Sequence, residues 1–376
     1  ATVWPKACCS APHETVQDVT REGIETTGMD ISERPGMDAL STYFDSFPTT
    51  ATSKVGQVKV KVVFIRHGHA CHNALDQQGS GWKLMNKLRQ AAYPDAPLTN
   101  CGMHLSNLNG IKLSRAFGAR SAGAEWADFV GTSGLVRAIE TGLEMFPGAN
   151  IHPLPFIAED GSDACNTPSD NAAQQGRLNA THGPTDAKRV KWQYINAAPN
   201  PAEVGASDYT SFKKLLALKV LPQLVANHPD RELTLAIVSH SKFMRTAMKK
   251  SFGCEKKDAY FDNNAAKSAS YNFSFNKKGG EIEAVSFGEV AKSCTSIDFS
   301  PQVWTQKDFC QADYDRCSIA DPKSMGLSEK DALGHKQSPS ISHPDPAKRP
   351  EYVCCKDWEI QELPGPPEVG PQGLNA

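Results

Sequence analysis

Four residues of two chemical types follow apolar runs that would carry them to one place. Arg66 and His67 follow residues 58–65, His240 follows 233–239, and Arg137 lies just past 128–133. A dianionic phosphoryl group needs cations that keep their charge, and the planar donor fork of arginine suits its oxygens. A nucleophile set between two arginines must be neutral before it attacks. Imidazole meets that condition, because nearby positive charge lowers its pKa. His67 is the candidate, attacking phosphorus through one ring nitrogen while a backbone carbonyl holds the proton on the other. His240, opposite, would donate to the phosphoryl oxygens as charge shifts. A leaving alkoxide also needs a proton. Glu159, after the apolar run 151–157, is the candidate acid, its pKa raised by partial burial, and Asp160 is the neighbour that competes for the role.

The elements that must position these groups can be read from the pattern around them. Val58, Val60 and Val62 alternate with Gln57, Lys59 and Lys61, and Val63, Phe64 and Ile65 complete a run typical of a strand covered on both faces. Such a strand delivers its last residues to the ligand crevice of an α/β sheet. Residues 233–239 form a second run of this kind and 128–132 a shorter one. After Ser133 the chain turns into a helix with Arg137 in its first turn, which would aim backbone N–H groups at an anion above. Thr99 is a plausible N-cap for a helix whose face carries Leu105, Leu108 and Ile111. Helices are also predicted over 82–92, 209–227 (kinked by Pro222) and 241–252, and a β-hairpin over 268–275 and 281–287.

Between 162 and 206 the sequence turns polar, and reads as an insertion capping the sheet edge. Its Arg177 and Lys188, with Arg189 and Lys191, could meet the distal part of an anionic substrate or form a solvated basic face. Residues 1–55 lack sustained periodicity and read as a wrapping arm. Residues 56–290 form the main domain, and 291–376 a Cys- and Pro-rich extension.

Composition narrows the partners. In 376 residues, 40 basic side chains face 42 acidic ones for a formal charge of -2, so no bulk field argues for nucleic acid or an anionic membrane. No apolar run approaches the roughly 20 residues that span a bilayer. The chain opens at Ala1 rather than Met, which suggests a removed presequence or a trimmed start. The 11 cysteines crowd toward the ends, and 179–181 and 272–274 are glycosylation sequons. Both features favour an oxidising compartment, secreted or within an organelle lumen, over the cytoplasm. Cys71 and Cys101, further in, read as buried small apolar residues.

Taken in order, these motifs resemble those of the histidine phosphatase superfamily, whose fold is phosphoglycerate-mutase-like. The resemblance is carried by Arg66-His67-Gly68 with Asn73 beyond it, and by Leu98-Thr99 with Gly102. Ser133-x-Leu135-x-Arg137-Ala138-x-Glu140-Thr141 and Val238-Ser239-His240-Ser241 complete the set, and together they cover about residues 59–288. It implies a three-layer α/β/α sandwich with a cap insertion and irregular terminal extensions. It also implies a phosphate pocket of Arg66, Arg137, His67 and His240 with His67 phosphorylated, Asn73 as an accessory phosphate ligand, Ser241 beside the pocket and Glu159 as the acid. Ser241 stands where the phytase and acid-phosphatase branch has Asp, and His69 where mutases commonly have Glu. The expected activity is therefore a phosphomonoesterase that needs neither metal nor cofactor, acting on a small phosphorylated metabolite or a phosphoprotein. The extensions leave room for a protein partner.

Three other readings stand beside it. The fold could serve binding or assembly without turnover, or transfer the phosphoryl group as a mutase does. His67-Gly68-His69-Ala70-Cys71-His72 also looks like the zinc-ligand run of metallo-β-lactamase-like hydrolases, with His152 or His240 as further ligands, but that leaves Arg66 and Arg137 unexplained. The plainer reading of His69 and His72 is turn or pocket wall, of His104 and His182 surface, and of Glu140 a partner for a helix neighbour.

Overall fold

In the computed structural model, strand β1 (Gly56–Arg66) splits its side chains between two apolar clusters. Val58, Val60, Val62 and Phe64 enter one, and Val63 and Ile65 the other. Each fully buried side chain of this size contributes roughly 1.5–3 kcal/mol, so both faces must be covered. The structure describes residues 55–76, 95–118, 126–161, 163–198, 200–228, 231–255, 258–278, 281–290, 295–297 and 299. The arm read over 1–55, apart from Val55, the helix read over 82–92 and most of the terminal extension lie outside them.

Strands β2 (Phe129–Ser133), β3 (Ile151–Leu154) and β4 (Leu233–Ser239) run parallel to β1, in the order β3-β2-β4-β1. The expected hairpin extends that sheet antiparallel as β5 (Ala266–Lys278) on β1 and β6 (Glu281–Glu289) on β5. A short β7 (Thr295–Ser296) pairs with β5, so the sheet continues past residue 290.

The helices that follow the parallel strands cover the two faces. A short α1 (Cys71–Asp76) follows β1; on one face lie α2 (Asn100–Ala116) and α3 (Val136–Met145), sending Leu113, Val136, Ile139 and Leu143 into the cluster of Val63 and Ile65. The insertion adds α4 (Asn171–Ala187), α5 (Gln193–Asn196) and α6 (Pro201–Val204). On the other face, α7 (Tyr209–Leu215), α8 (Leu221–Asn227) and α9 (Ser241–Ser251) bury Phe212, Leu221, Phe243 and Met244 in the cluster that holds Phe64. The architecture is a three-layer α/β/α sandwich. Where Pro222 predicts a kink, Leu216–Val220 winds as a π-turn. That wider turn accommodates a proline that cannot donate and whose ring would crowd the Leu218 carbonyl.

One expectation needs correction. Of the face expected from Leu105, Leu108 and Ile111, only Leu105 is fully buried: Leu108 and Ile111 are partly buried, and the buried side is completed by Cys101, Gly102, Ser106, Asn109, Gly110, Leu113 and Ser114. Small residues are needed there because a Cβ at Gly102 would collide with the His69 carbonyl oxygen. The polar stretch 162–206, read as a capping insertion, is largely helical. Asp170 caps α4 by accepting the Ala173 N–H at 2.8 Å, and Gly183 (φ 78°) breaks the helix before Pro184.

The insertion leaves and rejoins the domain at neighbouring points, since Ile157 bridges Ser207. Its far end runs along the flank of the sheet. Val190 bridges Ile151, and Arg189 donates to the Leu143, Phe146 and Ala149 carbonyls that end α3.

Candidate active site

The parallel ladder between β1 and β4 ends on the rung Arg66–Ser239. One step beyond, the His67 N–H donates to the Ser239 carbonyl at 3.0 Å, and His240 begins the turn into α9. The two imidazoles are buried with ring centroids 4.9 Å apart. His67 Nδ1 lies 2.7 Å from Gly68 O, and a carbonyl can only accept, so Nδ1 carries the proton and Nε2 keeps its lone pair. The peptide that holds this proton is itself fixed. The Gly68 N–H donates to Thr141 Oγ1 at 2.9 Å, and Asn263 Nδ2 donates to the His67 and Gly68 carbonyls at 2.9 and 3.0 Å. A Cβ at Gly68 would strike Ser106 Oγ.

Burial, then the charges of Arg137 and Arg66 and the neighbouring His240, push the His67 pKa well below the usual imidazole range. His240 is lowered well below it too, by burial first and then by Arg137, His72 and Arg66. Both are therefore neutral at physiological pH. Neither ring nitrogen of His240 has a hydrogen-bond partner among the described residues.

Arg137 is completely buried in the first turn of α3, as its place after β2 predicts. Its guanidinium donates through Nη1 to Cys165 O at 2.6 Å and through Nη2 to Asn166 Oδ1 at 3.1 Å. Burial lowers its pKa, while Glu159, Cys165 and Asp95 act in the opposite sense. Arg66 Nη1 donates to Phe261 O at 2.9 Å, and both arginines keep a buried Nε without a partner among the described residues. The expected anion site at the start of α3 is filled by the protein's own Asp95. Its Oδ1 accepts the Val136 N–H at 2.8 Å, and Oδ2 accepts from Gln174 Nε2 and the Ser169 N–H.

Glu159 is half-buried, within electrostatic reach of both arginines, and its Oε1 accepts the N–H groups of Asp160 and of Lys242 in the first turn of α9. Burial raises its pKa; Arg137, the Asp160 N–H, Lys242 and Arg66 oppose that rise without cancelling it. Asp160 is exposed, and its carbonyl accepts from Lys242 Nζ.

The other predicted residues divide. Ser241 opens α9, half-buried beside His240. Asn73 is present, but its Oδ1 accepts the Ala70 N–H at 3.1 Å and its Nδ2 donates to His72 Nε2 at 3.0 Å. Arg177 is exposed on α4 and donates to the Asp95 carbonyl at 3.2 Å. Lys188 caps the C-terminus of α4, next to residues bound at the amino end of β3, so it is not brought to the carboxyl edge with the histidines.

Several residues in or around the pocket gave no chemical signal in the sequence. Cys165 and Asn166 hold Arg137, Asn263 holds the Gly68 peptide together with Thr141 of the motif around Arg137, and Asp95 ties α3 to the insertion. Pro94-Asp95-Ala96-Pro97 marks a turn, but nothing local says that the aspartate is buried. His72 is buried 5.6 Å from His67, centroid to centroid.

Other bland readings need correction. His182 is buried, with Nδ1 3.2 Å from Glu144 and Nε2 3.7 Å from Glu140, and Glu140 also accepts the Leu98 N–H at 2.6 Å. Cys71 and Cys101 are fully buried, as read, but like Cys254 they are disulfide-bonded. Cys165 is a free, buried thiol. His152, which a zinc site would recruit, is stacked on Phe129 at 4.7 Å, and burial lowers its pKa to about 4. Among the described residues no cluster of three or more His, Cys, Asp or Glu could hold a metal ion.

No family model and no curated protein matches the chain. Among solved structures, it is similar to phosphoserine phosphatase from Entamoeba histolytica in complex with 3-phosphoglyceric acid, at 18% identity over 62% of this chain and 98% of that one, with a TM-score of 0.27. It is similar to the mycobacterial glucosyl-3-phosphoglycerate phosphatase at 16% identity over 62% and 98% (TM-score 0.33). It is similar, too, to phosphoglycerate mutase from Bacillus anthracis at 14% identity over 61% and 93% (TM-score 0.29).

Proposed function

We propose that this chain is a phosphomonoester hydrolase that works through a phosphohistidine at His67, on a small phosphorylated metabolite or a phosphoprotein. The observation that carries the reading is the His67 tautomer: with its proton held on Nδ1 by Gly68 O, Nε2 offers a lone pair between two arginines. In the first step Nε2 bonds to phosphorus and the ester P–O bond breaks, with the alkoxide taking a proton from Glu159. In the second, water gives a proton to the Glu159 carboxylate and attacks phosphorus. The N–P bond then breaks, and neutral His67 and inorganic phosphate are left. Arg66, Arg137 and His240 stabilise the charge on the non-bridging oxygens, the largest contribution expected in such a site.

Phosphate release from a panel of phosphomonoesters, with His67→Ala alongside, tests this. Turnover by the wild type with loss of about a thousandfold or more in the variant is expected, together with an acid-labile phosphoenzyme that the variant does not form. Full activity in His67→Ala would overturn the mechanism. A wild type that releases no phosphate from any substrate would point instead to a binding or assembly role.

A further inference from the structure

The pocket contains a third buried imidazole, and its protonation state can be read from the hydrogen bonds around it. The main-chain N–H of Ala70 must donate, so the Asn73 atom 3.1 Å from it is the carbonyl oxygen. That fixes the other end of the amide as the NH₂ group, which donates to His72 Nε2 at 3.0 Å. A ring nitrogen that accepts carries no proton, so the proton of neutral His72 sits on Nδ1. This Nδ1–H is buried and has no hydrogen-bond partner among the described residues. A buried donor left without an acceptor is destabilising, so the site favours a group that can accept from it.

The surroundings limit what that acceptor can be. His72 lies 5.6 Å from His67, ring to ring, and it is close enough to His240 to influence its titration. Burial, then Arg137, His67, Arg66 and His69, keep His72 well below the ordinary imidazole pKa, so it is a neutral donor and adds no third full charge. An anionic oxygen accepts from such a group at no cost in proton transfer.

We propose that His72 is a further substrate-binding residue, donating from Nδ1–H to a phosphoryl oxygen, and that Asn73 is a positioning residue that holds it in that tautomer. This rests on the phosphate-pocket reading above. Asn73 then acts through His72, since both ends of its own amide are engaged.

Binding of orthovanadate to the full chain tests the proposal without requiring turnover. His72→Ala should weaken binding about tenfold or more. His72→Asn, whose amide can place a donor near the Nδ1 position, should recover most of that loss. Asn73→Asp, which can only accept, should force the proton of His72 onto Nε2 and weaken binding as His72→Ala does. In the unligated wild type, nitrogen-15 resonances should show His72 protonated on Nδ1, which decides the matter even if a variant fails to fold. An Nε2–H tautomer, or unchanged vanadate affinity in a folded His72→Ala protein, would overturn this inference and leave the phosphatase reading intact. A wild type that binds no orthovanadate would overturn both.

Discussion

His182 and Glu140 meet across two helices, with Nε2 of the first 3.7 Å from Oε1 of the second and both side chains buried. At that separation the contact is charge attraction rather than a hydrogen bond, and Glu144 at 3.2 Å from Nδ1 completes the pairing. Burial opposes the imidazolium, but the two carboxylates outweigh it and push the His182 pKa up to about 9. The folded value lies above the unfolded one of about 6.5, so the stabilisation is complete below the latter and fades as pH rises through the former. Unfolding free energies at about pH 6 and about pH 10 should differ by on the order of 3 kcal/mol more in the wild type than in His182→Gln. Equal pH dependence in the two proteins would show that the cluster contributes nothing.

Gly102→Ala should destabilise the fold although it raises helix propensity. The added methyl meets the carbonyl oxygen of His69, a backbone atom held by the Thr99 N–H at 3.0 Å, so relief requires α2 to move away from the pocket. A loss of about 1–3 kcal/mol in chemical denaturation is expected, against a gain of under about 1 kcal/mol from propensity alone. A more stable variant would refute the close approach.

The pH profile of the hydrolysis should have an alkaline limb set by Glu159. Its pKa is raised, and the first step needs its proton, so kcat should fall as pH climbs through that value. In Glu159→Gln the limb should disappear and kcat drop by about a hundredfold or more for esters with poor leaving groups. Aryl phosphates, whose leaving groups need little help, should be much less affected. An unchanged limb in the variant would assign it to another group.

Asn166 offers a way to perturb Arg137 without touching it. Its Oδ1 accepts from Nη2 at 3.1 Å, and its removal frees one edge of the guanidinium to swing. Asn166→Ala should raise KM about tenfold, with kcat changing less, and leave the thermal midpoint nearly unchanged. A large stability loss with normal KM would make the contact structural.

How much of this was legible in sequence depends on whether the signal was local. Alternation in 58–65 and 233–239 showed two strands buried on both faces, and the residues after them gave His67, His240 and the carboxyl edge. Arg137 could be placed in the first turn of its helix because strand and helix abut with no room for another arrangement. The buried face of α2 was misread because packing there is set by backbone approach at Gly102 and not by the largest apolar side chains. The helices of 162–206 left no apolar periodicity to read, because α4 is largely polar and draws its order from Asp95 and Asp170. The burial of His182 could not be seen either, since its partners lie some 40 residues away in sequence.

The last rung of the ladder between β1 and β4 separates what can vary from what cannot. His67 and His240 each follow a residue of that rung, so the spacing of the pair is set by main-chain hydrogen bonds that any strand-forming sequence can supply. Arg137 has no such protection, because its guanidinium takes its bearings from Cys165 and Asn166 in the insertion. Changes within the insertion would thus leave the spacing of the histidine pair untouched and act on the arginine alone.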